Sequence, residues 1–356
     1  MLFDASHPRE KPCGGGVTGR ALDLVAGATS GLTHGVTVDQ MVAIRGARFG
    51  AATVPLPLGA LFVASRRTFD GALVEAAQQA GAAFVRERAQ DVQVAADGVC
   101  VRTASAVHRA AFLVGADGAN SLVRRRVAAP FRRDQLSIAT GVYARGITSD
   151  EIVIDFVDDP PGYIWSFPRP DHLAIGICAQ ADAATSGDLR ARVEAWVRRT
   201  GVARGATLEP YSWPIPSLSG HDLRAPVGGA RWLLTGDAAG FVDPITREGI
   251  FFALQSAEHA AAALGAAEAA RAYEARVRAD LVPELAHAAR LKAGFFRPPF
   301  VRLLLTALGR SERIRLVMAD LVAGRQSYRT LKWRLLQTLE LRLAWDAIRT
   351  RHVSPV

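Results

Sequence analysis

Lysine and cysteine are scarce in this 356-residue chain, and no long apolar run occurs in it. Of 43 basic residues only Lys11, Lys292 and Lys332 are lysines. That arginine bias, with the abundance of alanine, follows from GC-rich coding rather than from a nucleic-acid partner. Cys13, Cys100 and Cys178 lie far apart with no CxxC pair, which excludes a disulfide framework and a structural zinc knuckle and points to a reducing compartment. No stretch of 18 apolar residues exists, and no basic segment followed by an apolar one opens the chain. The expectation is therefore a protein that neither spans a membrane nor is secreted.

What is present fits a globular protein of two or three domains at about 150 residues each. Apolar residues make up 49% and charged residues 22%, enough to build a sizeable core. The net charge of +9 is uneven: residues 290–356 hold 14 basic and 4 acidic side chains, so the remainder is close to neutral.

The chain opens on an apolar pair, Leu2-Phe3, closed by Asp4, and then a loop rich in proline and glycine. Residues 18–27 read as helix and Met41–Phe49 as strand. Thr68–Ala80 repeats apolar residues at helical spacing, with Thr68 as expected N-cap and Gly81 as the stop. Asp97-Gly98 between alternating segments predicts a hairpin, and Ala110–Val114 predicts a central strand running into Gly115-Ala-Asp-Gly118. Short strands follow at Ser137–Arg145, Glu151–Val157, Tyr163–Phe167 and Leu173–Ala179, then a helix at Asp188–Arg199. A strand at Trp232–Leu234 enters Gly236-Asp237, a helix covers 249–264, and the rest is helical and basic. Strands ending in glycine–acid turns, interrupted by a β-rich block, predict an α/β nucleotide-binding domain with a β-sheet substrate domain spliced into it.

A GxGxxG match at Gly14, Gly16 and Gly19 follows Pro8–Cys13, which cannot form a central parallel strand, so it is read as a decoy. Asp4 stands where a Rossmann unit places its ribose-binding acid. The pattern then predicts a first strand and true glycine turn upstream of Met1, in a unit of roughly 30 residues. Gly236-Asp237-Ala-Ala-Gly240 through Pro244 to Gly249-Ile250 leaves room for a bulky ligand. The start of the following helix would face an anionic or electron-rich atom.

These segments carry a resemblance. EKPCGGG at 10–16, GADGANSLVRR at 115–125, YIWSFP at 163–168 and GDAAGFVDPITREGI at 236–250 resemble, in order, the motifs of the geranylgeranyl reductase family. These are FAD-dependent oxidoreductases of the wider p-hydroxybenzoate hydroxylase-like group. The resemblance implies an α/β fold: a Rossmann-like FAD-binding domain without its first βα unit, an inserted β-sheet substrate domain and a helical C-terminus. The expected division is 1–50, 81–130 and 225–275 for FAD, 51–80 and 131–224 for substrate, and 276–356 for the basic helices.

Residue by residue, the resemblance assigns Asp4 to the adenosine ribose and places Arg9, Lys11 and Cys13 beside the isoalloxazine, with Gly14 and Gly15 allowing close approach. Arg67, Asp117, Gly118, Gly236, Asp237 and Pro244 join the cofactor set, and the backbone of Gly249 and Ile250 faces the flavin. Tyr163, Trp165 and Phe167 become substrate-lining residues. Cys13 is the candidate proton donor, since a thiol is largely protonated near neutral pH. Arg247 and Cys178 depart from the family pattern, the first adding a cation near the flavin edge.

The implied reaction is reduction of prenyl double bonds in a lipid, a diphosphate or a quinone, with NADPH or a ferredoxin-like protein as electron donor. The YIWSFP block also resembles a block of flavin-dependent halogenases, so a flavin monooxygenase or halogenase is the rival, although none of the three lysines is assigned a halogenase role. A non-catalytic remnant that binds lipids or partners without flavin is the other alternative. No metal and no nucleic acid are expected. The expected location is cytoplasmic, with the basic C-terminus resting peripherally on the inner membrane face.

Overall fold

The computed structural model describes residues 1–30, 38–338 and 340. The chain begins with β1 (Leu2–Phe3), β2 (Gly16–Thr18) and α1 (Gly19–Ala28). Next come β3 (Met41–Ala43), β4 (Gly46–Phe49), β5 (Ala52–Pro55), β6 (Leu61–Ala64) and α2 (Arg66–Gln79). The one strand expected over 41–49 is thus two, and they enter different sheets. β7 (Phe84–Val85) pairs in parallel with β1, placing Asp4 at a parallel strand end. β8 (Asp91–Val94) and β9 (Val99–Arg102) form the expected hairpin, extended by β10 (Val107–Ala110). The GxGxxG match runs through β2, which is antiparallel to β6.

β11 (Leu113–Gly115) precedes α3 (Leu122–Val127). The antiparallel strands β12 (Leu136–Arg145), β13 (Glu151–Asp158), β14 (Pro161–Pro168) and β15 (His172–Gln180) follow, then α4 (Ser186–Thr200) and β16 (Thr207–Pro216). These five strands with β4 and β5 make a seven-stranded sheet in the order β16-β12-β15-β14-β13-β4-β5. β16 carries Pro210, Pro214 and Pro216. A strand with those prolines, each lacking an N–H, is tolerated because it lies at the sheet edge.

β17 (Gly228–Gly229) and β18 (Trp232–Leu234) lead to the short α5 (Gly236–Ala239) and to α6 (Ile250–Ala263). β18 is parallel to β11 with Leu234 opposite Gly115, so the Asp117 and Asp237 turns leave adjacent strand ends on the same side. That is where open α/β sheets bind ligands. Among the described residues no ladder joins the β1–β7 pair to the β11–β18 pair.

α7 (Ala269–Asp280), α8 (Val282–Phe295), α9 (Pro298–Arg310), α10 (Glu312–Val322) and α11 (Tyr328–Gln337) complete the described chain. Residues 339 and 341–356 of the expected basic region lie outside it. Among the described residues no helix is long and apolar enough to cross a membrane.

Strand alternation decides what each face of the large sheet meets. Ile164, Ile175 and Ile177 point toward α4, where Leu189, Val193 and Trp196 bury against them. Tyr163, Trp165 and Phe167 point the other way, and Phe296, Leu308, Met318 and Tyr328 of the C-terminal helices close a separate core against that side and β4–β5. Gly176 faces Trp165 across the β14–β15 ladder, where a Cβ would lie 2.4 Å from the indole ring; the glycine is what lets the ring approach the neighbouring strand so closely.

Candidate functional site

Helix α2 starts at Arg66 rather than after Thr68, because its first turn is capped from far away. Glu10 accepts the Arg66 backbone N–H at 3.0 Å and the Ser65 hydroxyl at 2.7 Å. Its carboxylate is also paired with the fully buried Arg169, whose guanidinium donates in addition to the Cys13 carbonyl. Burial raises the Glu10 carboxyl, but Arg169 together with the Ser65 and Arg66 hydrogen bonds holds the group below its ordinary value. Tyr143 donates to the Lys11 carbonyl at 2.6 Å. The loop carrying Lys11 and Cys13 is therefore tied to both the large sheet and α2.

The glycines after Cys13 answer to the protein itself. Phe167 lies 2.8 Å from where a Gly14 Cβ would stand and 3.0 Å from that of Gly16. Gly15 has φ of 85° and sits against the Ala64 carbonyl, a conformation and a space that a side chain would spoil. The aromatic face of β14 is thus packed directly on the Cys13 loop, with Tyr163 and Trp165 next along it, ring centroids 6.0 Å apart. Phe167 serves as packing for that loop. Tyr163 donates to the Thr246 carbonyl at 2.7 Å, joining β14 to the loop before α6.

Inside this frame lies a charged line. Lys11 Nζ is 2.9 Å from Asp70, and Arg66 makes a two-pronged pair with the same carboxylate at 2.9 and 3.0 Å. Burial opposes the Arg66 charge, but Asp70 and the Cys13 sulfur raise its pKa, so the guanidinium faces both. Lys11 is pushed down by burial and then by Arg66. His7 continues the line, 3.9 Å from Asp70 and 3.6 Å from Asp4. Asp4 receives the Ser6 N–H at 2.7 Å and the His7 N–H at 3.0 Å. Arg9 lies 5.9 Å over the Trp213 ring and reaches Ser6 at 3.0 Å.

Asp237 stands opposite. Gly236 is pinned by its N–H to Ser256 Oγ at 2.9 Å, and Tyr273 holds the preceding Leu234 carbonyl at 2.7 Å. Burial raises the Asp237 carboxyl, partly offset by the charges of Arg66 and Lys11. A Cβ on Gly249 would sit 3.3 Å from Asp237 Oδ1, so the acid borders the start of α6. That helix has no side-chain cap on its first turn. Buried Pro244 follows Asp243, whose carboxylate takes the N–H groups of Ile245 and Thr246 at 2.7 and 3.1 Å and shapes the approach to Gly249.

Asp117 is spent locally: it accepts the Leu122 and Val123 N–H groups at 2.6 and 3.1 Å and the Ser121 hydroxyl, capping α3. Gly118 beside it faces open space. Arg124 of α3 reaches the Ala238 carbonyl at 3.1 Å, linking the two acid turns. Arg67 is exposed, and the arginine that enters the site is its neighbour Arg66. Asp70, His7, Glu10 and Arg169 escaped the sequence reading. The spacing of Arg66 and Asp70, one helical turn apart, was an available signal. Lys11, which the resemblance places beside the flavin, pairs here with Asp70, and Lys292 hydrogen-bonds Ser217.

No family model matches the chain. It is 29% identical over 269 residues to a geranylgeranyl diphosphate reductase of Rhodobacter capsulatus, covering 72% of this chain and 66% of that protein. It is 31% identical over 262 residues to a digeranylgeranylglycerophospholipid reductase of Methanothrix thermoacetophila, covering 66% and 65%. The chain thus spans just under two thirds of the length of these curated relatives. Its fold matches the crystal structure of a geranylgeranyl bacteriochlorophyll reductase-like protein from Thermoplasma acidophilum with TM-score 0.76 at 18% identity, over 95% of this chain and 92% of that one.

Proposed function

We propose, taking the chain as a relative of the geranylgeranyl reductases with the fold of flavin-dependent oxidoreductases, that it is an FAD-dependent reductase of carbon–carbon double bonds in a prenyl substrate. The observation that carries this reading is the convergence of Asp237, Lys11, Arg66 and the uncapped start of α6 on the loop that holds Cys13, with the aromatic face of β14 against the same loop.

The residues present fit the cofactor. Among the described residues the Asp237 carboxylate accepts no hydrogen bond, although the charges of Arg66 and Lys11 lower it against burial. The first N–H groups of α6 likewise lack a side-chain cap. Asp237 would hold hydroxyls of the ribityl chain, Lys11 and Arg66 the phosphate charge, and Gly249 and Ile250 the electron-rich edge of the ring. Asp4, at the end of β1, would take the adenosine ribose. Arg9 and Gly118 complete the set, with Asp117 shaping the turn beside Gly118 by capping α3.

Reduced flavin, when bound, supplies a hydride; NADPH or a ferredoxin-like donor supplies its electrons. Saturating one double bond also requires a proton on the adjacent carbon, so that one π bond is replaced by two C–H bonds. Cys13 Sγ–H would give that proton, and the Arg66 guanidinium would supply a counter-charge to the sulfur it leaves. Tyr163, backed by the buried Trp165, would offer apolar surface to the prenyl chain. On α11, Arg329, Lys332, Trp333 and Leu336 form one exposed stripe, with Trp333 66% exposed; this supports peripheral rest on anionic lipid.

Asp237→Ala tests the cofactor half of this reading. Loss of a charge-assisted hydrogen bond is expected to weaken FAD binding about 10- to 100-fold in a fluorescence titration. Unchanged affinity would remove Asp237 from the flavin site.

A further inference from the structure

Two cations converge on one hydroxyl in the wall behind Tyr163. Arg247 Nη1 donates to Ser217 Oγ at 2.9 Å, and Lys292 Nζ donates to the same oxygen at 2.8 Å and to Gln180 Oε1 at 2.9 Å. Among the described residues no carboxylate pairs with either at ion-pair distance, and like charges two hydrogen-bond lengths apart repel. Arg247 is also the one non-glycine residue among those described with positive φ, at 62°, so the backbone is held in a disfavoured conformation where it presents this guanidinium.

Lys292 and Ser217 open onto a recess of about 460 Å³ that is also lined by Gln180, Arg132, Asp134, His221 and Asp222, with Arg247 reaching it through Ser217. Its acids are already engaged. Asp222 accepts from Ser219 and Gln135 and lies 3.5 Å from Arg132, which also pairs with Asp134 at 3.0 Å. Lys292 has Arg247, Cys178 and Asp182 about it, and Cys178 belongs to the cluster under Trp165. One helical turn beyond Lys292, Phe296 stacks on Tyr163 at 6.2 Å and packs on Phe295 at 5.2 Å. Lys292, which no carboxylate pairs among the described residues, therefore lines a recess beside the Phe296–Tyr163 aromatic cluster, the juxtaposition of charge and apolar surface that an amphipathic anion requires.

We propose that Lys292, Arg247 and Ser217 form a head-group subsite for the phosphate of a phosphate-bearing prenyl substrate, with the prenyl chain running over Phe296 and Tyr163. The inference rests on the reading of the protein as a prenyl reductase and narrows it: a quinone head carries no phosphate to fill this recess. The phosphate could belong to a prenyl diphosphate or to a prenylated phospholipid, which share the recognition chemistry. Lys292 must be protonated to bind. Burial, and then Arg247, lowers it to about 8, so it is charged at neutral pH and loses the charge in mildly alkaline solution.

Calorimetric titration with inorganic pyrophosphate, in the full chain, tests the subsite without flavin or turnover. Lys292→Met and Arg247→Gly should each weaken binding about tenfold or more at pH 7. Glycine suits the left-handed backbone at 247, so that variant should melt no lower than the parent, which keeps the test valid if Lys292→Met folds poorly. The advantage of the parent over Lys292→Met should shrink as pH rises through about 8, the ionisation of the ligand being common to both. Repeating the comparison with geranylgeranyl diphosphate and with phosphatidylglycerol vesicles identifies the source: a Lys292-dependent loss with the first points to a diphosphate ester, with the second to a lipid head group. Binding of all three probes that is absent, or unchanged by both variants, would overturn the subsite. FAD binding and double-bond reduction could still be observed in that case, so the two readings fail separately.

Discussion

Cys13→Ala is expected to lower turnover of a prenyl substrate by about 10²- to 10⁴-fold while leaving FAD affinity close to that of the parent, the range lost when a positioned proton donor is removed. The sulfur sits at the Arg66 guanidinium, and it accepts the Gly15 N–H at 3.3 Å. Alanine removes the proton without altering the charges of Arg66 and Lys11 that act on Asp237. The effect should therefore fall on kcat under saturating substrate, with the chemical step followed by stopped-flow absorbance. Turnover that survives the substitution would move the proton source to another group and leave Cys13 as loop packing.

Arg169→Met should cost about 3–5 kcal/mol of stability, as expected when a buried ion pair loses one partner and the other charge stays buried. Arg169 is fully buried and ties Glu10 to the Cys13 carbonyl. Without it Glu10 keeps only the Ser65 hydroxyl and the Arg66 N–H. The pH dependence has a definite sign. In the parent, burial raises the Glu10 carboxyl, but Arg169 with the Ser65 and Arg66 hydrogen bonds keeps it below its ordinary 4.5, so the pair contributes stability above that value and loses it as pH falls. In the variant burial dominates and raises the group, so the penalty should shrink on acidification as the stranded carboxylate takes a proton. Urea unfolding of both forms at pH 7 and pH 4.5 measures this, and a penalty independent of pH would separate Glu10 from the effect.

Local signals carried the fold where the structure is local. Asp97-Gly98 turns the β8–β9 hairpin, Gly81 stops α2, and the two glycine–acid turns leave adjacent parallel strands at β11 and β18. Where remote groups decide the outcome, local patterns misplace the element. Thr68 has the side chain of an N-cap, but Glu10 caps the helix from 56 residues upstream and moves its start to Arg66. The same displacement selects Arg66 over Arg67. The prolines of β16 conceal a strand that a sheet edge accepts. Of the site, the motif acids and the Cys13 loop were legible, because each lies at a strand end or beside glycines. The Arg169–Glu10 pair and the meeting of Arg247 with Lys292 were not, since nothing local marks contacts made across the fold.

The measurement that bears most directly on the central claim is anaerobic. The chain is loaded with FAD, reduced, freed of excess reductant and mixed with geranylgeranyl diphosphate under nitrogen. The visible band of oxidised flavin is expected to return only with substrate, and mass spectrometry to find hydrogen added to the prenyl chain in step with it. A flavin that stays reduced until oxygen is admitted, with an oxygen or halogen atom appearing in a product, would contradict that claim in favour of oxygen-consuming chemistry.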